Sequence, residues 1–171
     1  MKSEKQYIDL FTDAHAMICE HSSPVMNHVR EQAFKDFKQQ GFPSRKIERY
    51  RYTDINALFE PNYGLNLNRL EIPVDPYAAF KCDVPNLSTS LYFVVNDAFY
   101  TKALPKVGLP EGVKVLSLRE ASLEMPDLVA KYYGQIAKTQ EDALTALNAM
   151  LAQDGLFIYC LLYTSDAADD S

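Results

Sequence analysis

A chain of 171 residues, 47% of them hydrophobic, can build one core, with room for a fragment of a second domain. Its formal charge of −6, from 17 basic and 23 acidic residues, argues against nucleic acid or an anionic membrane as main partner, since both need clustered positive charge. No stretch approaches the ~18 apolar residues of a spanning helix, and residues 1–6 are too polar for a signal peptide, so the expected compartment is the cytoplasm.

The first predicted element is a helix. Ser3 and Gln6 stand at capping-box spacing, and Tyr7, Leu10, Phe11, Ala14, Met17 and Ile18 recur at intervals of three and four up to Glu20. Ser23-Pro24 then reads as a cap residue followed by proline at the first helical position. Val25, Val29, Ala33, Phe34 and Phe37 continue an apolar stripe, until Gly41 gives a left-handed exit and Pro43 prevents continuation. The short connection around residues 21–23 predicts an antiparallel helical hairpin. Thr53 is placed to cap a short helix through Phe59, closed by Pro61, and residues 62–85, rich in Pro, Asn and Gly, read as a long connection.

Further on, Leu91–Val95 is β-branched and aromatic, Asn96-Asp97 is a turn signal, and residues 98–100 form a return strand. Residues 113–116 form another strand, and Ser117 with Glu120 is a second capping box, opening a helix that stops before Pro126. Residues 127–133 form a short helix ended by Gly134. Thr139, with Asp142 three residues on, opens the last helix, with Leu144, Leu147 and Leu151 directed inward. Asp154-Gly155 turns into a strand at 156–159. The fold class is α+β: mainly helical, with a few short strands. After Tyr159 the character changes. Residues 160–171 begin apolar and end as an acidic run of small residues, and three aspartates there account for half of the net charge: 17 basic against 20 acidic residues remain without them, or −3. This segment is read as a non-native tail resembling adapter read-through, so the expectation is a chain truncated shortly after Tyr159.

Few residues carry visible chemistry. His15 and Cys19, four apart on one helix face with His21 and His28 nearby, could ligate a metal, but a structural zinc wants four ligands and no second Cys/His pair follows. Cys82 follows Lys81, which would lower a thiol pKa, yet no base or orienting group accompanies it. The three cysteines, Cys19, Cys82 and Cys160, are dispersed and odd in number, which favours reduced thiols. Arg45, Lys46, Arg49 and Arg51 interleave with Tyr50 and Tyr52 as in RNA-stacking surfaces, but Glu48 and Asp54 interrupt them. The expected role is a structural hinge with aromatics buried and arginines paired to nearby carboxylates. Gly108–Gly112 lacks the spacing and lysine of a phosphate loop. No residue is assigned a catalytic, metal or cofactor-binding role.

The stretch from Ala33 and Phe37 through Gly41-Phe42-Pro43-Ser44 to Glu48-Arg49-Tyr50-Arg51-Tyr52-Thr53 resembles the N-terminal region of the SufD family, subunits of the SUF iron–sulfur cluster assembly system. Ser44 stands for the usual threonine, and Tyr50 where tryptophan is common. Phe93–Asp97 is similar to the family's strand and turn, and Leu147-Asn148 through Ala152–Tyr159 to its helix entering the first strand of the core. The signature favours SufD over its paralogue SufB. The resemblance implies a helical N-terminal domain over residues 1–155 and, at 156–159, the first strand of a right-handed β-helix, with 160–171 the tail. It also implies a non-catalytic scaffold pairing with SufB and with the ATPase SufC, no cofactor in this fragment, and the iron–sulfur cluster handled by the full complex. A lone β-helix strand would have an unpaired edge, so the fragment is expected to fold as the helical domain alone. The rival readings are an unrelated helical interaction module and an enzyme with its site in the 62–85 connection.

Overall fold

The computed structural model describes residues 3–63, 67–68, 70, 73, 75–80, 91–102 and 109–160. Two 17-residue helices come first, α1 (Glu4–Glu20) and α2 (Pro24–Gln40). A 3₁₀ turn (Glu48–Tyr50) and two single-turn helices, α3 (Ile55–Leu58) and α4 (Pro76–Ala79), follow. The hairpin β1 (Val94–Val95) and β2 (Ala98–Phe99) leads to β3 (Val113–Ser117), α5 (Leu118–Glu124), α6 (Pro126–Tyr132), α7 (Ala143–Leu151) and β4 (Leu156–Cys160). The mixed, mainly helical class expected from the sequence is the one observed.

Helix ends show which local signals prevailed. Ser23 Oγ accepts from the Met26 N–H, with Pro24 in the first turn, as its sequence required. Ser117 Oγ likewise accepts from the Glu120 N–H at 3.0 Å. Gly41 ends α2 at φ 60°, a conformation that strains any side chain. The first capping box does not form. Ser3 is itself helical and bonds Asn56, while Gln6 donates to the Phe59 and Glu60 carbonyls, so tertiary partners displace the local cap. Thr53 yields to Asp54, whose carboxylate accepts from the Ala57 N–H. Thr139 does not cap α7 either: it donates to Asp36, and Asp142 takes the capping position.

The core joins α1, α2 and α7. Tyr7, Phe11 and Ile18 of α1 meet Ala33 and Phe37 of α2, and Phe42 and Ile55 close one end. α7 contributes Ala143, Ala146, Leu147, Ala149 and Met150, rather than the Leu144, Leu147 and Leu151 set; Leu144 and Leu151 sit at the core margin. Its alanines let α2 and α7 lie close, and α2 packs more extensively on α7 than on α1. The α1–α2 hairpin is therefore opened by a third helix. Met17, placed in the α1 stripe by its spacing, is 37% exposed.

Asn96 and Asp97, at φ 45° and 65°, form a two-residue turn with both central residues at positive φ, which matches the twist of the β1–β2 hairpin. β4 is not left without a partner. It pairs antiparallel with β3, Val115 opposite Ile158, so the strand is joined to the helical body through β3 and α5.

Candidate functional site

The sequence signature converges on the two ends of α7. At its start, Asp142 Oδ1 accepts from the Leu144 and Thr145 N–H groups, at 2.7 and 3.1 Å. Its other oxygen accepts from Arg49 Nη1 at 2.7 Å and from the Tyr50 hydroxyl. One carboxylate thus neutralises two orphan helix donors and anchors the signature turn, 93 positions away. Burial raises the Asp142 pKa, but the bonds from Tyr50, Thr145, Arg49 and Leu144 outweigh it and hold the carboxyl below its ordinary range. Burial and the bond to Asp142 push the Tyr50 hydroxyl up.

At the other end of α7 lies Arg30, fully buried. Nη1 donates to the Met150 carbonyl at 2.6 Å; Nη2 donates to the Ala152 carbonyl at 2.7 Å and to Ser22 Oγ at 2.9 Å; Nε donates to Asn27 Oδ1 at 3.1 Å. A cation at a helix C-terminus meets the negative end of the dipole and fills orphan carbonyls. Burial pulls its pKa down, against the opposing pull of Tyr133, Cys19, Asp97 and Glu31. The predicted stripe of Val25, Val29 and Ala33 did not mark Arg30; the face that the structure buries carries Met26, Arg30 and Ala33 instead.

Beyond α7 two further motifs meet. Asp97 of the hairpin turn accepts from the Gln153 N–H at 2.7 Å. Asp154 accepts from the Phe99 N–H at 3.3 Å and the Arg119 N–H at 3.0 Å, and the Gly155 carbonyl accepts from Leu118. The turn of Phe93–Asp97 and the Gln153-Asp154-Gly155 run are one joint. Beside it opens a cavity of about 520 Å³, with Tyr7, Leu10, Leu144 and Leu151 among its walls and Gln153 at its edge. Among the described residues, the buried Gln153 Oε1 and Arg119 Nε find no hydrogen-bond partner.

The basic, aromatic stretch is divided in its roles. Arg49 and Tyr50 are bound to Asp142, and Arg51 lies 3.8 Å from Glu48 and over the Tyr52 ring. Tyr52 is 85% exposed, not buried as a hinge aromatic would be, because the turn at 51–52 points it outward. The partner of Arg49 is distant in sequence rather than a nearby carboxylate.

Of the metal candidates, His15 and Cys19 do share a face. His15 Nε2 donates to Glu31 Oε1 at 2.6 Å and lies 3.5 Å from Cys19 Sγ. Glu31, supplied by α2, had no local spacing to reveal it. Burial pushes the Cys19 thiol up; Arg30 pulls it down and Glu31 raises it again. His21 turns away to the Leu67 carbonyl at 2.7 Å, and His28 is exposed on α2. Cys82, Lys81, Gly108 and half of the 62–85 connection lie outside the described residues, as do residues 161–171. No described helix is long and apolar enough to cross a membrane.

The comparisons with known proteins agree on one lineage. Residues 1–162 match the SufBD protein N-terminal region. Over 142 residues, 76% of this chain and 29% of the relative, the chain is 29% identical to the iron–sulfur cluster assembly SufBD family protein ycf24 of Trieres chinensis. Over 49 residues, 29% of this chain and 10% of the relative, it is 41% identical to the iron–sulfur cluster assembly SufBD family protein slr0074 of Synechocystis sp.. The chain therefore spans less than a third of the length of either curated relative. No solved structure is significantly similar to it. With the matched region covering nearly every residue, the chain belongs to the SufBD family, of which it carries the N-terminal region.

Proposed function

We propose that this chain is the N-terminal part of a SufD-type scaffold subunit in iron–sulfur cluster assembly. It works in the cytoplasm beside a SufB-type subunit and an ABC-type ATPase of the SufC kind, and has no catalytic site of its own. The match of residues 1–162 to the SufBD N-terminal region carries the reading. The bonding of the signature supports it: Arg49, Tyr50, Asp97 and Asp154 are engaged in joining elements, which suits a scaffold. The Gly41–Thr53 signature favours the SufD side of the family over SufB. The dispersed, odd-numbered cysteines suit a reducing compartment.

The domain division follows from the same reading. Residues 1–155 are the helical domain, and 156–159 open the stacked-coil β-helix body. The outward face of β4 supports this, because Leu156 and Ile158 are 37% and 59% exposed, apolar side chains of the kind that the interior of a coiled β body would bury. The iron–sulfur cluster is cargo of the assembled complex. Affinity purification of the full-length native protein from its own cells tests the proposal. A SufB-type subunit and an ABC-type ATPase are expected in stoichiometric amounts. Recovery of the protein with neither overturns it in favour of an unrelated interaction module.

A further inference from the structure

We propose that His15, Cys19 and Glu31 form a binding site for one divalent transition-metal ion of borderline softness, of the Zn²⁺ class, bridging α1 and α2. One ligand atom from each residue lies within 4.8 Å of the other two. One of the distances already matches a tetrahedral site. With metal–nitrogen and metal–sulfur bonds of about 2.0 and 2.3 Å, a tetrahedral edge from nitrogen to sulfur measures about 3.5 Å. His15 Nε2 and Cys19 Sγ are already 3.5 Å apart. The nitrogen-to-oxygen edge should be about 3.3 Å. His15 Nε2 and Glu31 Oε1 stand at 2.6 Å, held by the proton that a metal would replace. Entry of the ion thus needs only a small opening between two half-exposed side chains, at 44% and 54%.

Two of the ligands are positioned by neighbours. The His15 ring sits edge-on against the buried Phe11, with centroids 5.1 Å apart. Asn27 of α2 donates to the Cys19 carbonyl at 3.0 Å, which fixes the end of α1 against α2. One nitrogen, one sulfur and one oxygen is a donor set that suits Zn²⁺ and disfavours Ca²⁺ or Mg²⁺, which take oxygen shells. Three protein ligands beside solvent leave a fourth position for water, so the site exchanges its ion instead of requiring it to fold. The inference stands apart from the scaffold reading: a chain that met no ATPase partner would still bind the ion.

Titration of the full chain with Co²⁺, followed by absorption, tests it. The expected result is a thiolate-to-cobalt band in the near ultraviolet with visible bands of a four-coordinate ion, at one equivalent, displaced by Zn²⁺. Cys19→Ser should abolish the thiolate band. Glu31→Gln, an exposed change that keeps the fold by circular dichroism, should weaken affinity by about tenfold or more. Cys82→Ser and Cys160→Ser should leave the spectrum unchanged. Absence of the band, its survival in Cys19→Ser, an unaltered affinity in folded Glu31→Gln, or its loss in either other cysteine variant overturns the proposal.

Discussion

Arg49 and Asp142, 93 positions apart in sequence, meet at 2.7 Å, and the same carboxylate caps α7. This single contact explains why a charged, aromatic turn is followed so much later by an aspartate before an apolar helix. The turn is fixed by the helix start, and the helix start is completed by the turn. At the far end Arg30 does the corresponding task for the carbonyls of Met150 and Ala152. The core helix α7 is held at both ends by groups of the sign its dipole favours.

Removing the Asp142 carboxylate should be felt as a lost cap. Asp142→Ala is expected to cost about 1–2 kcal/mol of stability in urea unfolding near neutral pH. The acid dependence carries a definite sign. A carboxyl held below its ordinary range in the folded state contributes stability fully present above that range and lost as pH falls through the folded value. The stability gap between wild type and Asp142→Asn should therefore be widest near neutrality, begin to shrink as the pH drops below about 4, and close below the depressed folded value. A gap independent of pH would show that Asp142 is not the stabilised carboxylate.

Arg30 is buried with four neutral partners, so its replacement leaves several polar groups stranded. Arg30→Met should destabilise by about 3 kcal/mol or more, and Arg30→Lys should recover little, since an ammonium cannot reproduce the planar fork. Thermal melts of the two variants side by side provide the check. Full recovery by lysine would mean that charge, rather than the fork, is what α7 needs.

Phe42, from the signature, packs against Tyr7, Phe37 and Phe59, with ring centroids 5.8, 5.3 and 5.0 Å away. Phe42→Ala should cost about 3–5 kcal/mol, and Phe42→Leu less, because it refills most of the volume. Chemical denaturation measures both. Equal losses would argue that shape, not volume, dominates this cluster.

Gly134 sits at φ 71°, and a Cβ there would come within 2.9 Å of Val29 Cγ1. Gly134→Ala should destabilise by about 1–3 kcal/mol through both strain and crowding. The double change with Val29→Ala separates them, since it relieves the clash but leaves the backbone strained. If the Val29 change restores nothing, crowding has no part in the effect.

Local chemistry was legible at most places where the answer lay within a few residues, although Asp54 took the cap that its neighbour Thr53 was expected to supply. Ser23-Pro24, Ser117 with Glu120, Asn96-Asp97 and Gly134 each acted as their types require, because a cap or a tight turn is decided by φ, ψ and the nearest N–H. Where a residue had a distant partner, the local signal lost. Ser3 bonds Asn56, Thr139 bonds Asp36, and Asp142 takes the cap that spacing gave to Thr139. Glu31 joined His15 and Cys19 only when α2 was laid beside α1.

The amino-acid order by itself determined most of the places where helices and turns start and stop, and it held the family signature. Tertiary structure decided which of those elements touch: that α7 rather than α1 is the main partner of α2, that β4 pairs with β3, and that the signature turn ends on Asp142. The physical reason is range. Capping and turn energies act within one turn of chain, whereas burial and long-range hydrogen bonds are satisfied only by neighbours that chain closure brings together.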